Sequence, residues 1–213
     1  MRASRMKKNI NFYHIFMLAA GLSLLFSCQE DTPYPKPRGY FRIQLPAKSY
    51  LTFDTIYPYK FEYPVYAKPR FKNGGEDHWL NLDFPYFNAS IYFSYKPVKD
   101  NLEAYINDAY TLVNKLIPKA DAIEKKIYDD KDKQVFGVVY TIEGSQAASV
   151  LQFFLTDSTR HFVRGALYFN NPPNNDSLQP VIGFLNEDIR HLIETFEWKN
   201  FTKQERNTQV TGK

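Results

Sequence analysis

The feature that most limits what this chain can build is its single cysteine, Cys28, which closes an apolar run near the N-terminus. One thiol forms neither an intramolecular disulfide nor a thiolate metal cluster, so stability has to come from the core. Ahead of it, Met1 to Asn9 carries Arg2, Arg5, Lys7 and Lys8 and no acid, and Ile15 to Phe26 is almost wholly apolar. A basic start, a short apolar middle and a small residue at the cut are the parts of a secretory signal peptide. The run is shorter than the roughly 20 residues of a bilayer-spanning helix.

Leu24-Leu25-Phe26-Ser27-Cys28 resembles a bacterial lipobox, with Phe26 standing where a small or branched residue is usual. That resemblance implies cleavage between Ser27 and Cys28, a diacylglycerol on the Cys28 sulfur and an acyl chain on the new N-terminus. The competing readings are an uncleaved anchor helix and an ordinary secretory cut beside an incidental thiol. Removing residues 1–27 changes the composition that matters: 213 less 27 leaves 186 residues, enough for one domain with a sizeable core. Four of the 27 basic residues leave with it, so 23 face 23 acids and the net charge of +4 vanishes. A neutral chain lacks the clustered basic surface that nucleic acid requires. The 18 Phe, 16 Tyr and 2 Trp suit a β-rich fold, because flat rings pack well on a pleated surface.

Residues 28–38 read as a tether. Pro33, Pro35 and Pro37 alternate with other residues and favour polyproline II, which spans roughly 30 Å at about 3.1 Å per residue. Residues 39–199 then read as a single α+β domain, and 200–213 as a polar tail. Short strands are expected at 40–45, 50–53, 61–66, 79–84 and 89–96, with a loop at Gly74-Gly75 and a hairpin loop at 85–88. Asp100 and Glu103 fit a capping box ahead of an amphipathic helix over 101–117, stopped by Pro118. Strands follow at 135–143, 148–156 and 161–169, the first two joined at Gly144-Ser145 by a two-residue turn. A last helix is expected over 177–198, with Pro180 in its first turn and a stripe of Leu178, Val181 or Ile182, Leu185, Ile189, Leu192, Ile193 and Phe196. This order predicts an antiparallel sheet packed with two main helices. Its layout resembles the Mog1/PsbP-like αβα sandwich.

No catalytic constellation stands out. Gly-x-Ser-x-Gly, P-loop and dinucleotide glycine patterns are missing from the sequence. Ser149 or Ser158 with His161 and Asp157 can be drawn as a triad, but neighbours in one turn seldom reach that geometry. Asp77, His78 and Asp83 are the nearest approach to a metal cluster; Asp129, Asp130 and Asp132 lack the glycine and distal glutamate of a calcium loop. Arg160, His161 and Arg164 form a small basic group that suits an acidic partner or merely guards an edge strand. Asp54-Thr55-Ile56, Asp157-Ser158-Thr159 and Asp176-Ser177-Leu178 resemble a short O-glycosylation pattern, and each is equally natural as a turn or helix cap. The expectation is therefore no enzyme, no metal, no cofactor beyond the Cys28 lipid and no small-molecule substrate.

Six segments together resemble one family. They are Pro35–Ile43 (PKPRGYFRI), Trp79–Pro85 (WLNLDFP), Ser94–Pro97 (SYKP), Phe153–Thr159 (FFLTDST), Arg164–Asn170 (RGALYFN) and Leu192–Lys199 (LIETFEWK). The chain resembles the gliding motility lipoproteins GldD of Bacteroidetes-type bacteria. The resemblance implies a protein held in the cell envelope by a lipid, in the outer membrane, required for gliding and working with other gliding-machinery proteins near type IX secretion. It implies no catalytic residue. The alternative is a periplasmic small-ligand-binding domain or cryptic hydrolase, with Trp79 or Tyr86 at the mouth of an apolar pocket.

Overall fold

A computed structural model describes residues 43–71 and 79–199, all within the unit that spans 40–213. Cys28, the leader, the tether, the Gly74-Gly75 loop, Asp77, His78 and the 200–213 tail lie outside the described residues, as do 40–42 of the first expected strand. Residues 43–45 of that strand are not extended into a ladder.

The described residues form ten strands and two long helices. They are β1 Tyr50–Asp54, β2 Tyr59–Pro64, β3 Lys68–Phe71, β4 Leu80–Phe84, β5 Ala89–Pro97, α1 Leu102–Asn114, β6 Ala122–Asp130, β7 Val135–Glu143, β8 Ser149–Thr156, β9 His161–Phe169, α2 Asn175–Glu194 and β10 Glu197–Trp198. Single 3₁₀ turns, Pro85–Phe87 and Ile117–Lys119, join β4 to β5 and α1 to β6. Seven strands form one antiparallel sheet in the order β3-β4-β5-β9-β8-β7-β6, and β1-β2-β10 form a second. The expected class, α+β with antiparallel sheets and two main helices, is what the chain adopts.

The large sheet buries both faces, which is why β8 is buried at every position. On β9 the alternation sends Val163 into one core and Phe162 into the other. The larger core lies under α2 and is rich in aromatic rings: Phe53, Tyr59, Phe61, Phe93, Phe153 and Phe196 are each at most 3% exposed. Gly165 makes room for it, since a Cβ there would stand 2.2 Å from the ring of Phe153, its partner across β8–β9. The smaller core lies under α1, where Ala109 and Val113 meet Tyr140, Ile142, Phe154 and Phe162.

Local chemistry departs from expectation at four places. Asp100 does not cap α1; it holds a left-handed φ of 57°, and Asn101 occupies the cap position without a side-chain cap bond. The β7–β8 link is not a two-residue turn, since β8 begins at Ser149. Gly144 at φ 144° lies 2.5 Å, measured from a built Cβ, from the Lys119 carbonyl, and the buried Asn175 amide donates to the carbonyls of Gly144 and Ala147. Helix α2 starts at Asn175, so Pro180 sits inside it rather than in its first turn. It also ends at Glu194, and Trp198 pairs with Tyr59 instead of continuing the helix.

Candidate functional site

The most developed polar assembly among the described residues fastens α2 to the chain that enters the fold ahead of β1. Asp188, 1% exposed, interrupts the apolar surface of α2 between Leu185 and Ile189. Its Oδ1 accepts from Lys48 Nζ at 2.8 Å and from the Tyr50 hydroxyl at 3.1 Å, and its Oδ2 accepts a short bond from the Tyr66 hydroxyl. Lys48 also donates to the Phe184 carbonyl at 2.8 Å and stands 3.8 Å over the Phe184 ring. One turn on, His191 stacks on Tyr50 with centroids 3.8 Å apart, and its Nε2 is 2.7 Å from Glu62 Oε2 on β2. A buried carboxylate is tolerable only when its lone pairs are filled; here three donors from three segments fill them. Burial, reinforced by the Asp188 charge and hydrogen bond, pushes the Tyr50 hydroxyl up to about 12, and the same causes raise Tyr66 further. Both phenols therefore stay protonated donors.

Beside this lock, α2 and the β6–β7 edge enclose an open groove of about 300 Å³. Tyr128, Val139, Leu151, Ile189 and Ile193 line it, and Lys126, Glu187, Arg190 and Glu194 rim it. Asn186 Oδ1 is buried in its wall without a hydrogen-bond partner among the described residues. Trp79 and Tyr86 are not part of this groove; the Tyr57 hydroxyl donates to the Trp79 carbonyl, and the Tyr86 hydroxyl donates to the Gln44 carbonyl.

The basic group read from the sequence is divided by the sheet. His161 packs on the α2 side, where it stacks on Trp198 at 5.1 Å and its Nδ1 is 2.8 Å from the Tyr95 hydroxyl. Arg164 follows Phe162 onto the α1 side and donates to Gln152 Oε1 at 2.5 Å. Arg160 is in the turn between β8 and β9, 3.7 Å from Asp157. That turn also dissolves the drawn triad. Asp157 Oδ1 accepts the backbone N–H groups of Thr159, Arg160 and His161, while buried Ser149 donates to the Leu167 carbonyl at 2.8 Å. Burial works against the Asp157 charge, but those backbone donors prevail and hold its carboxyl below the usual range. Asp83 is taken by Arg70 and Ser90, and Asp130 caps its own turn by accepting from the Lys133 N–H. Among the described residues no cluster of three His, Cys, Asp or Glu side chains is placed to hold a metal.

The three Asp-Ser/Thr segments fall on a β1–β2 bend, the β8–β9 turn and the start of α2. Sequence reasoning missed Lys48, Tyr50, Tyr66 and Asp188 as a group. The one available signal was an acid at position 188 beside an otherwise apolar stripe.

A solution structure of cyanobacterial PsbP from Synechocystis sp. PCC 6803 is similar at 10% identity and a TM-score of 0.45, covering 74% of this chain and 97% of that one. No curated protein matches. Residues 30–198 match the family model described as gliding motility lipoprotein GldD, a span that contains every partner of the Asp188 lock and the whole described sheet. The chain belongs to the gliding motility lipoprotein GldD family.

Proposed function

We propose that this chain is a non-enzymatic scaffold of the gliding machinery, anchored by lipid on Cys28 after cleavage behind Ser27. Residues 28–38 serve as the tether, and the folded domain beyond them presents a surface to other envelope proteins of the machinery. The outer membrane is the proposed site of anchorage. The observation that carries the reading is the Lys48–Asp188 lock. Lys48 lies only ten residues beyond the tether, and its ammonium ends on a buried carboxylate of the longest helix. A load arriving along the tether reaches that contact before β1, and the contact shares it with the main core. A scaffold between a membrane and a moving assembly needs such a connection.

The test is gliding of cells that carry Cys28→Ala at wild-type protein level. The expected result is loss of membrane attachment together with loss of gliding; normal gliding by the unanchored protein overturns the role of the anchor. A second reading, a small-ligand-binding domain, has the α2–β6 groove and its orphaned Asn186 oxygen in its favour. Native mass spectrometry of the protein extracted from its own envelope separates the two: a co-purifying small molecule lost in Asn186→Leu supports the second.

A further inference from the structure

The two edges of the seven-stranded sheet are built in opposite ways. At one end β3 is four residues long, contains Pro69, and has Arg70 paired to Asp83 at 2.6 Å. Short length and proline are usual means of keeping an edge from pairing; charge is another, and β6 carries it as well. At the other end β6 (Ala-Ile-Glu-Lys-Lys-Ile-Tyr-Asp-Asp) runs for nine residues without proline or glycine. Its ladder to β7 is unbroken over all nine pairs, so the strand is regular to its tip. Among the described residues nothing pairs with its outer side. One position past its centre, Ile127 is 71% exposed, more than any other large apolar side chain described.

We propose that β6 is a self-association edge, on which a second copy of this chain docks its own β6 antiparallel to form one continuous sheet. What selects a second copy is the order of charges along the strand. A two-fold axis normal to the sheet requires one residue to face its own copy, and each choice of that residue fixes every other pair. With the axis at Lys126, two ammonium groups collide. With the axis at Tyr128, Lys126 faces Asp130, but Ile127 faces Asp129 and Lys125 faces Lys131. With the axis at Ile127, the two exposed isoleucines cover each other, and Lys125 faces Asp129 twice. In the same register Lys126 faces Tyr128 twice, a pairing of cation and ring. Like charges also meet twice, Glu124 against Asp130, but these pairs fall at the two ends of the ladder. Opposite charges directly across a ladder stabilise it and like charges oppose it. An axis at Lys125 sets Lys125 against itself. The Ile127 register keeps its attractive pairs beside the axis, leaves its repulsive pairs at the ends and covers Ile127 with its own copy, so it is the register this strand favours.

The faces agree with this register. Ile127 pairs with Val138, which packs on the α1 side, so Ile127, Lys125 and Asp129 share that side. Lys126 pairs with Val139, which packs on the α2 side, where Lys126 and Tyr128 line the groove. A docked copy therefore joins apolar and ionic pairs on one face and cation–ring pairs on the other.

Directly opposed residues of an antiparallel pair have Cα atoms about 4.5–5.5 Å apart, within the range a disulfide spans. The experiment uses the full-length protein with Ile127→Cys, purified in detergent and returned to lipid vesicles, under a mild oxidant. The expected product is a reducible species of twice the chain mass, with Ile123→Cys and the wild-type chain giving little. Lys125→Asp added to Ile127→Cys should weaken pairing about tenfold, as two attractions become repulsions. Adding Asp129→Lys to that variant should restore it. Circular dichroism of each variant confirms that the fold is kept. Three results overturn the proposal: Ile127→Cys cross-linking no better than Ile123→Cys, a folded charge-swapped variant that fails to recover, or, in whole envelopes, adducts of Ile127→Cys only to other polypeptides.

Discussion

The two faces of the large sheet carry helices of similar amphipathic design that are held in different ways. On one side α2 buries Val181, Ile182, Leu185, Ile189, Leu192 and Ile193, and is bonded through Asp188 and His191 to the second sheet. On the other, α1 fully buries only Ala109 and Val113. Aromatic stacking follows the same division. Phe196 stacks on Phe61 and Tyr59 and meets Trp198 edge-on, whereas among the described rings Phe162 meets Phe154 and Tyr105. The difference teaches that one face is the structural keel and the other is a lightly fastened cover. Regions with few buried contacts open first, so amides of α1 should exchange with solvent well before those of α2.

The largest expected effect tests the keel directly. Phe196→Ala removes a ring that is fully buried and should cost about 3–5 kcal/mol. Val113→Ala removes two methyl groups from beneath α1 and should cost about 1–2 kcal/mol. Urea denaturation of both variants measures the two values. Equal losses break the comparison; a large gap sharpens it.

Next is the lock. Asp188→Ala leaves the Tyr50 and Tyr66 hydroxyls and the Lys48 ammonium without their acceptor. The expected loss is about 2–3 kcal/mol, below the full cost of breaking a buried pair, because Lys48 remains 3.3 Å from Glu187 and is 25% exposed. Lys48→Met with Tyr50→Phe and Tyr66→Phe in the Asp188→Leu background should recover much of it, since an apolar cluster of similar size leaves no donor without a partner. Failure of that variant to recover would mean the network matters for the geometry of the entering chain more than for its charge.

The pH dependence should also reside on the α2 side. Burial lowers the His161 pKa from its ordinary 6.5, with Asp157 pulling the other way and Arg160 adding to the fall. A group with a depressed folded pKa contributes most above its unfolded value and loses that contribution as pH falls through the folded one. Stability should therefore decline as pH drops below about 6.5, and His161→Gln should flatten the thermal midpoint between about pH 7 and 5. The lowered carboxyls Asp54, Asp83 and Asp157 lose their contributions only below about pH 4, so the two windows separate.

How much of this was legible in the sequence depended on how apolar each element is and how clearly turn residues bound it. Strands β7 and β9 match their expected bounds, 135–143 and 161–169, although β9 buries residues on both faces. Strand β6 escaped notice because it is exposed along both faces and carries no apolar period. Pro69 hid β3, and β10 has two residues. The α2 stripe was readable, yet its end was not: Phe196 continues the helical spacing although the chain has already turned toward β2. The Asp188 lock was out of reach, because its partners lie more than 100 positions away and meet only once the sheets form. Local patterns specify faces; they do not specify which distant polar groups will share a buried space.

The smallest effect concerns the start of α1, where the cover meets the sheet. Asp100 holds φ 57° immediately before the cap, a conformation that costs a residue with a Cβ about 1 kcal/mol. Glycine adopts it freely but gains entropy in the unfolded chain, which offsets part of the benefit. Asp100→Gly should therefore stabilise the protein by about 0.5 kcal/mol, read as a small rise in the urea midpoint. It should also slow exchange of the first α1 amides without changing those of α2. A gain shared equally by both helices would mean that α1 does not open by itself, and the cover would have to be counted as part of the keel.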